Sequence, residues 1–121
     1  MTVTLDGKTL NVRGDIRQVT SPVKVEWDKW ENQAYKKKRQ VFGKIRQWVL
    51  SCYEDVNSVT WTNSNAKYFD DIAGNNSSVR LQITAGNLYS MDTYVYIDSV
   101  EIPFEPGRIK TRCFFLTVTD E

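Results

Sequence analysis

The stretch Val3-Thr4-Leu5-Asp6-Gly7-Lys8-Thr9-Leu10-Asn11-Val12 carries the clearest local signal in this chain of 121 residues. Apolar side chains alternate with polar ones on both sides of Asp6-Gly7. Such alternation is typical of strands with one covered face, and an Asp-Gly pair between two of them favours a tight turn because glycine accepts positive φ. The sequence therefore opens with a predicted β-hairpin.

Further strands are predicted along most of the remaining chain. Ser21-Pro22 is expected to interrupt it, and the period-two run at 23–27 then predicts a strand. Later strands are predicted at 45–53, continued past a bend by Val56, Val59 and Trp61, and at 79–83, 91–102 and 112–118. The apolar register changes near Asp98-Ser99, which indicates a bulge or bend.

One short helix interrupts this series. Thr62 or Asn63 can cap a run that places Ala66, Phe69 and Ile72 on one face, with Gly74 just beyond the end. The predicted fold is mainly β, an antiparallel β-sandwich or barrel with one short α-helix packed against it. Residues 1–121 are expected to form a single domain, since a chain of this length has no room for two.

Residues 28–42 allow two interpretations. Helical spacing would suit one long amphipathic helix through Trp27, Trp30, Ala34, Val41, Ile45, Trp48 and Cys52. Gly43 and the polar run at 35–40 argue against that helix. The interpretation that we favour is a strand, then a basic loop or hairpin tip within 35–44, then a second strand that begins after Gly43.

Composition narrows the classes of function. The chain has no histidine, which removes the commonest general base, and its scattered glycines form no phosphate-binding loop. Cys52 and Cys113 are too few for a zinc site and are expected to be buried reduced thiols, with a bridge between them as the alternative. We therefore predict no enzymatic activity, no catalytic residues, no metal and no cofactor.

The distribution of charge is more informative than its total. The net charge of +1 does not point to nucleic acid or membrane, and no apolar run approaches the ~20 residues that span a bilayer. A cationic cluster is nevertheless present at Lys36, Lys37, Lys38 and Arg39, followed by Lys44 and Arg46. Clustered cations raise the local potential, so these six residues are the predicted partner-binding site. The alternative is a nucleic-acid-binding β-barrel that uses residues 35–46.

Several segments together resemble small structural proteins of tailed viruses and proviruses, of the tail-tube or tail-tip kind. They are the opening Leu-Asp-Gly hairpin and the stretches 43–54, 59–61, 67–69, 95–100 and 111–118. The resemblance covers most of the chain as a pattern of strand sequences. It implies a β-sandwich flanked by a helix that assembles into rings through sheet edges and a protruding loop, for which the basic segment 35–44 is the natural candidate.

This resemblance also implies partners and a location. The protein would be a homo-oligomer, bound to copies of itself and to other virion proteins, within a virion assembled in the host cytoplasm. Surfaces that line a tail tube are expected to be acidic so that DNA slides, and the sequence shows no acidic strand face. A tail-tip, completion or adaptor role is therefore as consistent with the sequence as the tube itself.

Overall fold

Seven β-strands, one α-helix and one short 3-10 helix make up the regular structure in the described part of the chain. The computed structural model describes residues 1–31, 34–75, 77–104, 107 and 110–121, of which 28–31 and 34–38 are described by their backbone alone. In chain order the elements are β1 (Thr2–Leu5), β2 (Lys8–Leu10), β3 (Arg17–Glu31), β4 (Ala34–Asp55), the 3-10 helix (Trp61–Asn63), α1 (Asn65–Ile72), β5 (Val79–Ala85), β6 (Tyr89–Glu101) and β7 (Thr111–Asp120). The predicted mainly β fold with one short helix is confirmed.

The opening hairpin has the predicted turn. β1 pairs antiparallel with β2, with Val3 opposite Leu10 and Leu5 opposite Lys8. Asp6 and Gly7 have φ values of 53° and 77°, so both lie in the left-handed region that a two-residue hairpin turn of this twist requires. Glycine and aspartate tolerate that region better than most residues, which explains why this pair closes the hairpin.

The strands form one antiparallel sheet in the order β2-β1-β5-β6-β7-β4-β3. Beyond β2 the chain returns to the other end of the sheet, where Val12 forms a bridge with Cys52 of β4. The Tyr53 N–H donates to the Asn11 carbonyl (3.0 Å), and the Arg13 N–H donates to the Ser51 carbonyl (2.8 Å). The sheet therefore curls until its two ends meet.

The core fills the inside of this curl. Its largest fully buried side chains are Trp48, Phe69, Phe114, Leu5, Leu50, Leu81, Ile83 and Leu116. They come from alternate positions of the strands, as the period-two pattern predicts, and from one face of α1. The Trp48 indole N–H donates to the Tyr89 hydroxyl (2.8 Å) and to Gln18 Oε1 (3.2 Å), so the one polar atom of this side chain is satisfied.

The helix is fixed to the sheet by a buried carboxylate. Glu54, only 5% exposed, accepts a 2.6 Å hydrogen bond from the Asn65 N–H at the start of α1, and its second oxygen lies 3.4 Å from Arg112 Nη1. Ser64 caps the helix by accepting from the Lys67 N–H (3.1 Å). The predicted helix is thus confirmed, but its cap is Ser64 and it is eight residues long, nearer two turns than three.

Two predictions about strand boundaries are wrong. Ser21-Pro22 does not interrupt β3, because β4 alone among the described strands lies beside it and Pro22 can lie on such an edge without a hydrogen-bonded N–H. Val56, Val59 and Trp61 do not extend β4. The chain turns after Asp55, whose carboxylate accepts from the Asn57 N–H (2.9 Å). The predicted register change in β6 is confirmed as an irregularity between Ile97 and Ser99.

The cysteines are not bridged. Cys52 pairs with Phe114 while Cys113 pairs with Tyr53, so the two thiols project from opposite faces of neighbouring strands. Cys52 is fully buried and Cys113 half-buried. Burial, assisted by the charge of Glu54, raises the pKa of the Cys52 thiol to about 12. Cys52 is therefore a small core side chain and not a nucleophile.

Candidate functional site: a two-stranded arm

The hairpin of β3 and β4 extends far beyond the rest of the sheet. β4 pairs with β7 only from Gln47 to Asp55, and its residues 34–46 pair with β3 alone among the described strands. We call residues 20–31 together with 34–46 the arm. Twelve residues of β3 at the usual rise make the arm about 40 Å long. None of the described side chains of the arm belongs to the buried core.

The basic segment lies in this arm as strand and not as loop. The register of β3 and β4 continues to Glu31 opposite Ala34, and residues 36–39 pair with 29–26. The prediction of two strands joined as a hairpin is therefore confirmed and the helical alternative is wrong. The prediction of a loop within 35–44 is also wrong, because the ladder continues through these residues as far as Ala34. The predicted protrusion exists, but it is a paired ribbon.

A bulge sits halfway along the arm. Val23 pairs with Gly43 and the next residue, Lys24, pairs with Val41, so Phe42 is an extra residue on β4. Gly43 has a φ of 141°, which side chains rarely adopt. The glycine at position 43 is therefore explained by this bulge and not by a turn that precedes a strand.

The two faces of the arm differ in chemistry. Side chains directly opposite each other share a face, and alternate residues of a strand share a face. One face, which we call the apolar face, carries Val23 (41% exposed), Val25 (51%), Trp27 (43%) and Ile45 (46%) in the half of the arm nearest the body. Further out, the register places Lys29, Glu31, Lys36 and Lys38 on this same face. The other, the charged face, carries Lys24, Glu26, Arg39 and Lys44, together with Val41.

The structure places the predicted site residues unequally. Arg46 lies at the root of the arm, where its Nε is 2.6 Å from Asp120 Oδ2 and its guanidinium lies 5.4 Å from the Trp48 ring centroid. Arg39 is half-exposed and 3.9 Å from Glu26. Lys44 is exposed on the charged face. The side chains of Lys36, Lys37 and Lys38 lie outside the described residues.

Charge is separated between the arm and the rest of the chain. Residues 20–46 contain eight Lys and Arg against three Asp and Glu, a net charge of +5. Since the whole chain carries +1, the remaining residues carry −4. The near-neutral total therefore conceals a cationic arm on an acidic body, where the body is residues 1–19 and 47–121.

Part of the acidic charge lies on the outside of β6. Asp92, Asp98 and Glu101 are all exposed, and β6 contains no Lys or Arg. Arg80 of β5 pairs with Asp92 at 2.6 Å, and this hydrogen bonding holds the pKa of the Asp92 carboxyl below its ordinary value. Asp98 accepts hydrogen bonds from Gln47 (3.4 Å) and from the Thr119 hydroxyl. β6 therefore carries three exposed carboxylates, one of which is paired with Arg80.

Elsewhere the described residues show little that could perform chemistry. Among them, no three Cys, Asp or Glu side chains cluster to hold a metal ion. A groove of about 580 Å³ is walled mainly by apolar residues that include Ile16, Ile83 and Leu88. The described part of the chain also has no helix long enough to span a membrane.

Sequence reasoning missed the apolar face and the role of Glu54. The run Val23-Lys24-Val25-Glu26-Trp27 was correctly predicted as a strand, and its alternation contained the signal. An alternating strand normally implies a core beneath its apolar side, whereas here that side faces solvent. The sequence alone suggests an exposed Glu54, because glutamate is rarely buried unless paired and its partner Arg112 is distant in sequence.

The comparisons with known proteins agree on the fold. No family model matches the chain, and no curated protein matches it. Among solved structures, a chain from the tail of an empty gene transfer agent particle, determined with C6 symmetry, superposes with a TM-score of 0.58 at 10% identity, covering 94% of this chain and 81% of that one. A chain from the virion of a native gene transfer agent particle superposes with a TM-score of 0.58 at 12% identity, covering 99% and 89%. The resemblance to tail proteins is confirmed at the level of the fold.

Proposed function

We propose that this protein is a non-catalytic structural subunit of a phage-like tail, and that copies of it assemble into rings. The observation that carries the proposal is the arm, a ribbon about 40 Å long. Isolated two-stranded ribbons are at best marginally stable in water. An arm of this kind, with four large apolar side chains more than two-fifths exposed, is therefore suited to contact a partner.

The structural neighbours support the identity of that partner. Both belong to particles built from many subunits, and the tail chain was determined with sixfold symmetry. We accordingly propose six copies per ring, with other virion proteins above and below, and a location in the virion. Exposed carboxylates on β6 favour the tube over a tip or adaptor position, since an acidic lining repels DNA instead of binding it.

The basic residues would act within the assembly. We propose that Lys36, Lys37, Lys38, Arg39 and Lys44 contact acidic surfaces of neighbouring subunits, while Arg46 holds the arm to its own body through Asp120. The alternative, contact with nucleic acid, uses the same cations. The two proposals differ in whether the contacts form when nucleic acid is absent. Protein contacts would form without nucleic acid, whereas phosphate contacts would require it.

Electron microscopy and light scattering of the purified protein test the proposal. We expect rings or short tubes at high protein concentration in the absence of nucleic acid. A Lys37→Glu variant should assemble less well than wild type, and Lys110→Glu, which changes an exposed lysine outside the arm, should assemble normally. A protein that stays strictly monomeric would contradict ring formation. Filter binding with a steep salt dependence would instead support the nucleic-acid alternative.

A further inference from the structure

The arm consists of two segments on either side of its bulge. The inner segment, residues 20–23 with 43–46, lies next to the body, and the outer segment, residues 24–31 with 34–41, lies beyond the bulge. We propose that the bulge is a joint, at which the outer segment changes its direction relative to the body while each segment keeps its own ladder. The inference concerns a single copy of the chain and goes beyond the proposed function.

The inner segment is fixed to the body through Arg46. The Arg46 Nε lies 2.6 Å from Asp120 Oδ2, and its Nη1 lies 3.4 Å from the Met91 sulfur, so one guanidinium contacts both β7 and β6. Asp120 is held in turn by the Thr93 hydroxyl, which donates to its other oxygen (3.1 Å). The direction of the inner segment therefore follows that of the body.

The outer segment is held together internally. Its ladder continues without a further shift from the bulge to the last described pair. Glu26 lies 3.0 Å from Lys24 Nζ on its own strand and 3.9 Å from Arg39 Nε on the other strand, so these charges join the two strands. β3 lies at the edge of the described sheet and β7 pairs with β4 only from Gln47, so no third described strand supports this segment. It can therefore move as one unit.

Little packs against the bulge between the two segments. The side chain of Phe42, the extra residue, is 61% exposed, and a Cβ added at Gly43 would have no atom within 4 Å. A bulge interrupts the ladder and bends its strand, and glycine accepts a wider range of φ and ψ than any other residue. Since neither the core nor a third described strand holds this point, the backbone at Gly43 can change its φ and ψ at little cost.

The length of the outer segment amplifies a small change at the joint. Residues 24–31 of β3 make this segment about 26 Å long at the usual rise per residue. The twist between paired strands varies over roughly 25° among proteins, and a change of that size at the joint moves the far end of the arm by about 11 Å. A fixed bulge would instead hold the far end in one place relative to the body.

Distances between two spin labels test for the joint. One nitroxide is attached at Leu88→Cys on the body, and the other at Ser21→Cys in the inner segment or at Lys29→Cys in the outer segment, in a protein that also carries Cys113→Ser. Positions 21 and 29 lie on the same face of β3, so the two labels are matched. Pulsed electron paramagnetic resonance of the dilute monomer should give a distance distribution at least about twice as wide for position 29 as for position 21. Equal widths overturn the joint, because the arm would then be rigid along its whole length.

Two variants locate the motion. Deletion of Phe42 places Val41 directly before Gly43 and keeps every existing pair of the ladder, so it should narrow the distribution for position 29 to about that for position 21. Phe42→Gln keeps the extra residue and is the control, which should match wild type. An unchanged width after the deletion assigns the motion to the whole ribbon, and narrowing by Phe42→Gln assigns it to the side chain. Either result overturns the joint.

Hydrogen exchange of the wild-type protein is a second measurement that needs no substitution. The amides of residues 42 and 43 should exchange faster than those of 39–41 and 44–46, and equal protection overturns the joint. Circular dichroism checks that the labelled proteins and both variants fold. Because every measurement uses the dilute monomer, loss of the joint leaves ring assembly intact, and a protein that forms no rings leaves the joint intact.

Discussion

Removing the arm should abolish assembly and leave the body folded. In the shortened protein, residues 21–45 are replaced by Asn-Gly, which joins Thr20 directly to its ladder partner Arg46 through a two-residue turn that such hairpins favour. None of the side chains that the structure describes between 21 and 45 belongs to the buried core. The shortened protein retains the pairing of residues 17–19 of β3 with residues 47–49 of β4. It also retains the ion pair of Arg46 with Asp120.

Loss of the arm should have a small effect on folding stability and a large effect on assembly. An exposed ribbon adds little to folding stability, so the melting temperature should change by less than about 4 °C, or roughly 1 kcal/mol for a chain of this size. For assembly, burial of the four partly exposed apolar side chains of the arm, Val23, Val25, Trp27 and Ile45, contributes about 5 kcal/mol per contact. Its loss should raise the assembly concentration by about 1,000-fold or more.

Thermal denaturation and light scattering, each on wild-type and shortened protein, provide the assay. Leu88→Gln is the control, because it removes a highly exposed apolar side chain at the β5–β6 turn without touching the arm. Rings formed by the shortened protein would refute the arm as the contact. A melting temperature lowered by more than about 12 °C would show that the arm is an integral part of the fold.

Three further predictions concern the body. Glu54→Ala should destabilise the protein by about 2–4 kcal/mol because Arg112 and the Asn65 N–H lose their buried partner, and Glu54→Gln should cost less because its amide oxygen still accepts from Asn65. Urea denaturation measures the free energy of unfolding of both variants. A loss below about 1 kcal/mol for Glu54→Ala would contradict the role of Glu54 in fixing α1 to the sheet. Iodoacetamide at pH 8 should label Cys113 and spare Cys52, whose pKa burial raises to about 12. In the unfolded chain the Cys52 thiol ionises near its ordinary pKa of 9, whereas in the folded protein it stays neutral up to about pH 12. The free energy of unfolding should therefore decline as pH rises from about 9 towards 12. Mass spectrometry measures the labelling of each cysteine. Labelling of Cys52 as fast as that of Cys113 would refute the burial of Cys52.

The body of the fold was predictable because its signals are local. Asp6-Gly7 fixes a turn, the alternation in β5 and β7 fixes their covered sides, and Ala66 with Phe69 fixes the face of α1. Each of these depends on residues within a few positions of one another. Even the irregularity in β6 is visible, because Val95 and Val100 have opposite parity.

The arm was predictable only in part because its support is not local. Nothing within 17–31 indicates that this strand lies at the edge of the described sheet, so Pro22 suggests a break that an edge strand does not need. Likewise, the lysines at 36–38 suggest a loop because consecutive cations avoid burial, but an exposed ribbon satisfies that requirement equally well. The charge of the segment indicated exposure and did not indicate backbone conformation.

Pro22 also bears on how the protein avoids fibrous aggregation. The outer edge of β3 is a long row of backbone groups that could recruit further strands and extend the sheet indefinitely. A proline lacks the N–H that such recruitment needs, and it divides the row into two shorter pieces. Copies can then meet side chain to side chain while stacking of backbones in register is discouraged. Finite assembly and fibrous aggregation would then depend on different parts of the arm, its side chains in the first case and its backbone edge in the second.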